Sequence, residues 1–170
     1  MRPLRYNVAC SLDGYIAGPS GEYDWIVEDS SIDLVGLFKE FDTFVMGRKT
    51  YEILLAQGDQ DPTIGLEVIV ASRTLTTAPR PNVTVVADDI CGHVAALKAR
   101  PGKDIWLFGG GILARTLLDA KLVDSIEVAL MPVLLTKGIP LFAAGDRLPL
   151  ELISAESLAS GIQMLRYKPK

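Results

Sequence analysis

The stretch Trp106-Leu107-Phe108-Gly109-Gly110-Gly111-Ile112-Leu113-Ala114-Arg115 constrains this chain more than any other. Ile105 to Phe108 are all apolar, as in a buried strand, and Ile112, Leu113, Leu117 and Leu118 then recur at helical spacing. Three glycines therefore sit where a strand turns into a helix. Such a junction can bring bare backbone N–H groups against an anion, although the same glycines serve equally well as a plain turn between packed elements. The spacing is not G-x-G-x-x-G and the stretch comes late in the chain, which argues against a Rossmann unit.

Two earlier segments repeat the theme. Thr43-Phe44-Val45-Met46 reads as a short strand and runs at once into Gly47-Arg48-Lys49-Thr50-Tyr51-Glu52. The glycine permits a tight turn, Thr50 offers a hydroxyl, and Arg48 and Lys49 put positive charge at a helix N-terminus, where the helix dipole disfavours cations unless an anion compensates. Glu67 to Ala71 reads as another strand, ending in Ser72-Arg73-Thr74, which is either a monoester-phosphate site built on an arginine fork or an ordinary polar turn.

The rest of the chain supplies the scaffold. Leu4, Tyr6, Val8 and Cys10 alternate against Arg5 and Asn7 in a strand from Leu4 to Leu12, which Asp13-Gly14 breaks. From Asp13 to Asp24 the chain is rich in turn formers yet carries Tyr15 and Ile16, the pattern of a long ordered loop of the kind that often serves as a lid. Asp29, Ser30 and Ser31 offer N-caps for a helix to about Glu40, with Leu34, Leu37, Phe38 and Phe41 on its apolar face and Asp33 at the margin. A carboxylate there is either solvated or, if it projects into a pocket, raised in pKa and suited to proton donation. Val83 to Val86 is strand-like, Asp88 or Asp89 caps a helix to about Arg100, and Ser125 to Leu130 is a further strand. Leu148 to Ser154 and Gln163 to Tyr167 form a hairpin through Ala159-Ser160-Gly161. Alternating strands and helices followed by strands alone predict one α/β domain, its central sheet mostly parallel with antiparallel C-terminal edge strands and about four flanking helices.

Charge and cysteine content narrow the function. With 17 basic and 21 acidic residues the net charge is −4 and no long run of either sign occurs, so nothing predicts a nucleic-acid or membrane surface, and an anion needs a local site. Cys10 and Cys91 have neither metal-binding nor disulfide spacing and read as packing residues; His93 stands alone as a helix-surface residue, so no metal site is expected. The N-terminus lacks a long apolar segment, which predicts a cytoplasmic protein. The 170 residues suit one domain, and 49% hydrophobic content suffices for its core.

In their order and spacing, Gly47-Arg48-Lys49-Thr50-Tyr51-Glu52, Ser72-Arg73 and Gly109-Gly110-Gly111 resemble the dihydrofolate reductase-like superfamily. Ser11-Leu12-Asp13-Gly14-Tyr15-Ile16-Ala17, Leu122-Val123-Asp124 and Pro140-Leu141-Phe142 look more like its branch named for the C-terminal reductase domain of the bacterial bifunctional riboflavin deaminase-reductase. The resemblance runs from about residue 4 to residue 168. It implies a single-domain dihydrofolate reductase-like fold and an NADPH-dependent reductase, acting on a small pterin- or pyrimidine-related substrate and commonly a homodimer.

By that resemblance Gly47, Arg48, Lys49 and Thr50 would hold the pyrophosphate and its neighbouring phosphate, and Ser72 and Arg73 the adenosine 2′-phosphate. Phe108, Gly109, Gly110, Gly111, Ile112 and Leu113 would bring N–H groups to the cofactor, with Ile16 and Ala17 near the nicotinamide. Asp33 is the nearest match to the carboxylate that assists protonation in folate reductases, with Glu40 and Asp29 as alternatives. Asp13 would orient substrate hydroxyls in the riboflavin branch, or serve only as the turn residue before Gly14. One departure stands out: where that branch usually carries Asp-Pro followed by Leu-Thr at its substrate-phosphate site, this chain reads Tyr51-Glu52-Ile53-Leu54-Leu55. Reduction of dihydrofolate, and NADPH binding without catalysis in a regulatory protein, are the two alternative functions.

Overall fold

A computed structural model of the chain describes residues 1–170. Strand alternation decides how its layers form. In β3 (Phe41–Gly47), Val45 packs into one apolar cluster while Phe44 and Met46 pack into another, and β4 (Glu67–Ala71) repeats this with Ile69 against Val68 and Val70. Successive side chains point to opposite faces of a strand, so a strand apolar at every position must be covered on both. The helices do the covering. On one face lie α3 (Ile90–Ala99) and α4 (Gly111–Asp119), through Val94, Leu97, Leu113, Leu117 and Leu118; on the other lie α1 (Leu34–Lys39) and α2 (Arg48–Ala56), through Leu37, Phe38, Tyr51 and Leu54.

The remaining strands are β1 (Leu4–Ser11), β2 (Tyr15–Ala17), β5 (Val83–Val86), β6 (Asp104–Gly109), β7 (Ser125–Met131), β8 (Ile139–Pro140), β9 (Leu150–Ser157) and β10 (Gln163–Pro169). Eight of them form one sheet in the order β5-β4-β3-β6-β1-β7-β10-β9. Five neighbouring pairs are parallel, and β7–β10 and β10–β9 are antiparallel, as the sequence predicts. The parallel strands all present their C-terminal ends on one edge of the sheet, where open α/β sheets bind ligands.

Four local expectations change. The first helix starts at Leu34, because the Asp33 carboxylate accepts the Gly36 amide at 2.8 Å and caps it, while Asp29 instead holds a turn through the Ser31 amide at 2.9 Å and hydroxyl at 2.6 Å. Phe41 leaves that helix for β3, where it pairs with Asp104 and is only 2% exposed. Ile112 does not join the buried face of α4; it sits in the first turn, 77% exposed. The turn-rich segment after Asp13 contains β2, which pairs with β8 from the second long connection.

A short strap thus forms at the C-terminal edge of the sheet. Leu141 donates its amide to the Gly14 carbonyl at 2.9 Å, and Ala143 donates to the Gly111 carbonyl at 3.1 Å. A Cβ on Gly111 would overlap the Pro140 carbonyl oxygen, so the third glycine of the motif is dictated by the strap crossing the helix start.

Candidate active site

Two helices point their N-termini at this edge, and both lack a side-chain cap. α2 starts after Gly47 and α4 after Gly110, and neither glycine supplies an acceptor; α1 and α3, by contrast, are capped by Asp33 and Asp89. The first amides of a helix have no partner within it. Glycine in place of aspartate at an N-cap costs only about a few tenths of a kcal/mol, so leaving these amides open is cheap in stability and valuable for an anion.

The two glycines differ in what requires them. Gly110 has φ +100°, a conformation side chains resist. Gly47 has an ordinary φ of −81°, and a Cβ there would meet nothing within 4 Å. Neither backbone nor packing demands glycine at residue 47, and its absent side chain leaves open space over the start of α2.

Both junctions open into one cavity of about 1760 Å³. Ligand pockets usually measure about 300–1,000 Å³, so this one has room for a dinucleotide and a second small molecule. It runs along the C-terminal edge of the sheet, from β5 and β4 at one end to β1, β7 and β10 at the other. All of the cofactor-binding residues predicted from sequence line it: Gly47, Arg48, Lys49 and Thr50 at the β3–α2 junction, Ser72 and Arg73 after β4, Phe108 to Leu113 at the β6–α4 junction, and Ile16 and Ala17 on β2. Arg48 is held by Glu52 one turn on, at 2.6 Å, and Lys49 is exposed. Arg73 is extended and 86% exposed, with Asp88 no nearer than 3.9 Å. The Ser72 hydroxyl accepts the Leu75 amide at 2.9 Å and shapes the turn that carries Arg73.

The carboxylates fall elsewhere. Asp33 is consumed as the α1 cap and does not line the cavity. Asp13, also outside it, accepts the Ser11 hydroxyl at 2.7 Å and the amides of Leu135 and Thr136 at 3.1 and 2.7 Å, which hold its carboxyl below the usual range. It pins the connection after β7 to the end of β1. Glu40 pairs with Arg5. Of the four carboxylates weighed from sequence, only Asp29 lines the cavity, and Ser160 and Ser31 draw it down to about 2. At neutral pH it is an acceptor without a proton to give.

The far end of the cavity carries residues that sequence reasoning missed. Asn7 and Ala9 of β1, Ala129 and Met131 of β7, and Met164 of β10 form its floor, and Phe38, Trp106, Ile26 and Ile32 its walls. Their pairing explains the grouping: Ala9 lies beside Ala129, and Ala129 beside Met164, so one sheet face presents small and flexible side chains in a row. The available signal was alanine or asparagine interrupting otherwise bulky strands. Asn7 is fixed at both ends, donating its side-chain amide to Glu127 at 3.0 Å and accepting the Trp106 indole N–H on its carbonyl at 2.9 Å.

Residues 2–164 match the family model of the RibD C-terminal domain. The chain belongs to the RibD C-terminal domain family. Among curated relatives it is similar to the uncharacterized protein YyaP of Bacillus subtilis (strain 168), 31% identical over 98% of this chain and 94% of that one. Among solved structures, a putative riboflavin biosynthesis protein from Shewanella sp. PV-4 superposes with a TM-score of 0.84 at 29% identity, covering 100% of this chain and 99% of that one. The dihydrofolate reductase of Enterococcus faecalis, complexed with NADP(H), superposes with a TM-score of 0.71 at 16% identity over 99% and 96% of the two chains, which extends the likeness in fold. This RibD-type domain therefore has a dihydrofolate reductase-like fold, and its C-terminal sheet edge holds the large cavity. No helix in it is long and apolar enough to cross a membrane.

Proposed function

We propose that this protein is an NADPH-dependent reductase of the riboflavin-reductase type, acting on a pterin- or pyrimidine-related ring. The observation that carries the reading is the convergence on one cavity of two side-chain-uncapped helix N-termini, one of them beside a glycine that neither backbone nor packing requires. The residues fit the cofactor. The open amides after Gly47 and Gly110 would take the pyrophosphate, with Lys49 and Thr50 beside them, and Arg73 with Ser72 the 2′-phosphate. When bound, NADPH supplies hydride to an electrophilic carbon of the second ligand. The chain's own work is to align the two ligands along the sheet edge and to exclude water with the strap and the 26–32 segment. Asp13, Asp33 and Glu40 do not line the cavity, and Asp29, which does, is ionised, so this set places no proton donor beside the product.

Isothermal titration tests the reading. NADPH is expected to bind, NADH to bind at least about tenfold more weakly, and Arg73→Ala to remove most of that difference, since a fork of donors to a phosphate is worth about 1.4 kcal/mol or more. Absence of NADPH binding would refute it. As the resemblance to the riboflavin branch implies, we also propose that the protein is a homodimer.

A further inference from the structure

The cations of the cavity are confined to one end. Arg48, Lys49 and Arg73 all stand where β3, β4 and α2 meet and the cofactor phosphates would lie, with Asp88 and Asp89 also lining that end and Asp88 3.9 Å from Arg73. The end over β1, β7 and β10 has no lysine or arginine in its lining, and its ionisable groups there are the acids Glu28 and Asp29. The cations on the adjoining sheet face are already spent. Arg5 gives two hydrogen bonds to Glu127, at 2.8 and 2.7 Å, contacts Asp104 at 3.1 Å, pairs with Glu40 and lies 4.7 Å over the Phe41 ring; Arg166 turns to Glu127 at 3.4 Å. Freeing Arg5 would strand three carboxylates, one of them the largely buried Glu127, at a cost that a single new phosphate contact does not offset.

A phosphate or a pair of carboxylates placed there would lose water, gain no cation and face two acids. A flat ring would instead meet Trp106 and Phe38, whose centroids lie 4.8 Å apart, with Ala9, Ala129 and Met164 beneath it. We propose that the second ligand of this cavity is an uncharged or cationic planar heterocycle without a phosphate or glutamyl tail, so that the protein reduces neither a ribosyl phosphate nor a folate. The inference rests on the reductase reading for what happens to that ligand, but the charge preference is a property of the lining alone. The hydride, with its electron pair, leaves the dihydronicotinamide for the ring, which also takes one proton from water, and NADP⁺ is released. Arg80 and the sequence Tyr51-Glu52-Ile53 agree with this: Arg80 is bound to the buried Asp61, and no basic residue replaces the phosphate motif of the riboflavin branch.

Two matched pairs test the proposal: dihydropterin against dihydrofolate, and a ribosylaminouracil against its monophosphate ester, each titrated into the full chain with and without saturating NADPH. The uncharged member of each pair is expected to bind at least about tenfold more tightly. Equal or tighter binding of the anionic member overturns the proposal, as does failure of both uncharged members to bind at millimolar concentration. Failure of NADPH to bind overturns the reductase reading instead, and the titrations without NADPH still report the charge preference.

Discussion

Asp33 shows how a residue's chemistry is decided by what it touches. An aspartate at the margin of an apolar helix face suits proton donation only if it is buried in a pocket, and here its carboxylate is satisfied by the Gly36 amide at the surface. Asp33→Ala is expected to cost about 1 kcal/mol of stability, the usual worth of such a cap, read as a lower urea midpoint, and to leave NADPH affinity within about twofold. A large loss of turnover with binding intact would return the proton-donor role to it. Asp13 likewise lies among the amides of a connection 122 residues away in sequence, a contact that local spacing does not encode. The residues at the two glycine junctions are legible as cavity lining for the opposite reason. Gly47, Thr50 and the triple glycine carry their message in local order, since a strand followed by glycine and a helix start marks a junction with open amides and needs no long-range information.

At the scale of elements, the strands were the more legible part. Glu67–Ala71 and Val83–Val86 are read from sequence to the residue, because turn formers bound them on both sides. The first helix ends where the sequence predicts but starts later, at Leu34, and Phe41, which continues its apolar period, begins a strand that buries it more completely than a surface helix could. The pairing of β2 with β8 was invisible, since each is too short to show a period. β9 poses a separate question. It hydrogen-bonds only to β10, every one of its residues is exposed, and Leu152 and Ile153 are 54% and 51% exposed on it. An unpaired edge with apolar side chains invites a second copy to continue the sheet. Sedimentation velocity is expected to show a dimer that Leu152→Lys/Ile153→Lys converts to monomer; a wild-type monomer at all concentrations, or an unaltered dimer in the variant, would contradict this.

Over the whole molecule, the architecture follows from two facts, strands apolar on both faces and a chain that leaves every parallel strand at the same sheet edge. The first demands helices on both sides. The second gathers loops from β1, β3, β4, β6 and β7 at one edge, and so turns separate weak motifs into one cavity. Sequence order alone could relate the glycine segments to one another; it could not show that Ala9, Ala129 and Met164 adjoin, because that depends on the register of β1, β7 and β10. The central claim is that open amides of two helix starts, on opposite faces of the sheet, hold one dinucleotide between them. Amide chemical shifts followed by NMR during an NADPH titration read this directly. The account predicts that the largest changes fall together, at one affinity, on Arg48 to Thr50 and on Gly110 to Leu113; changes confined to one helix start, or to residues away from both, would contradict it.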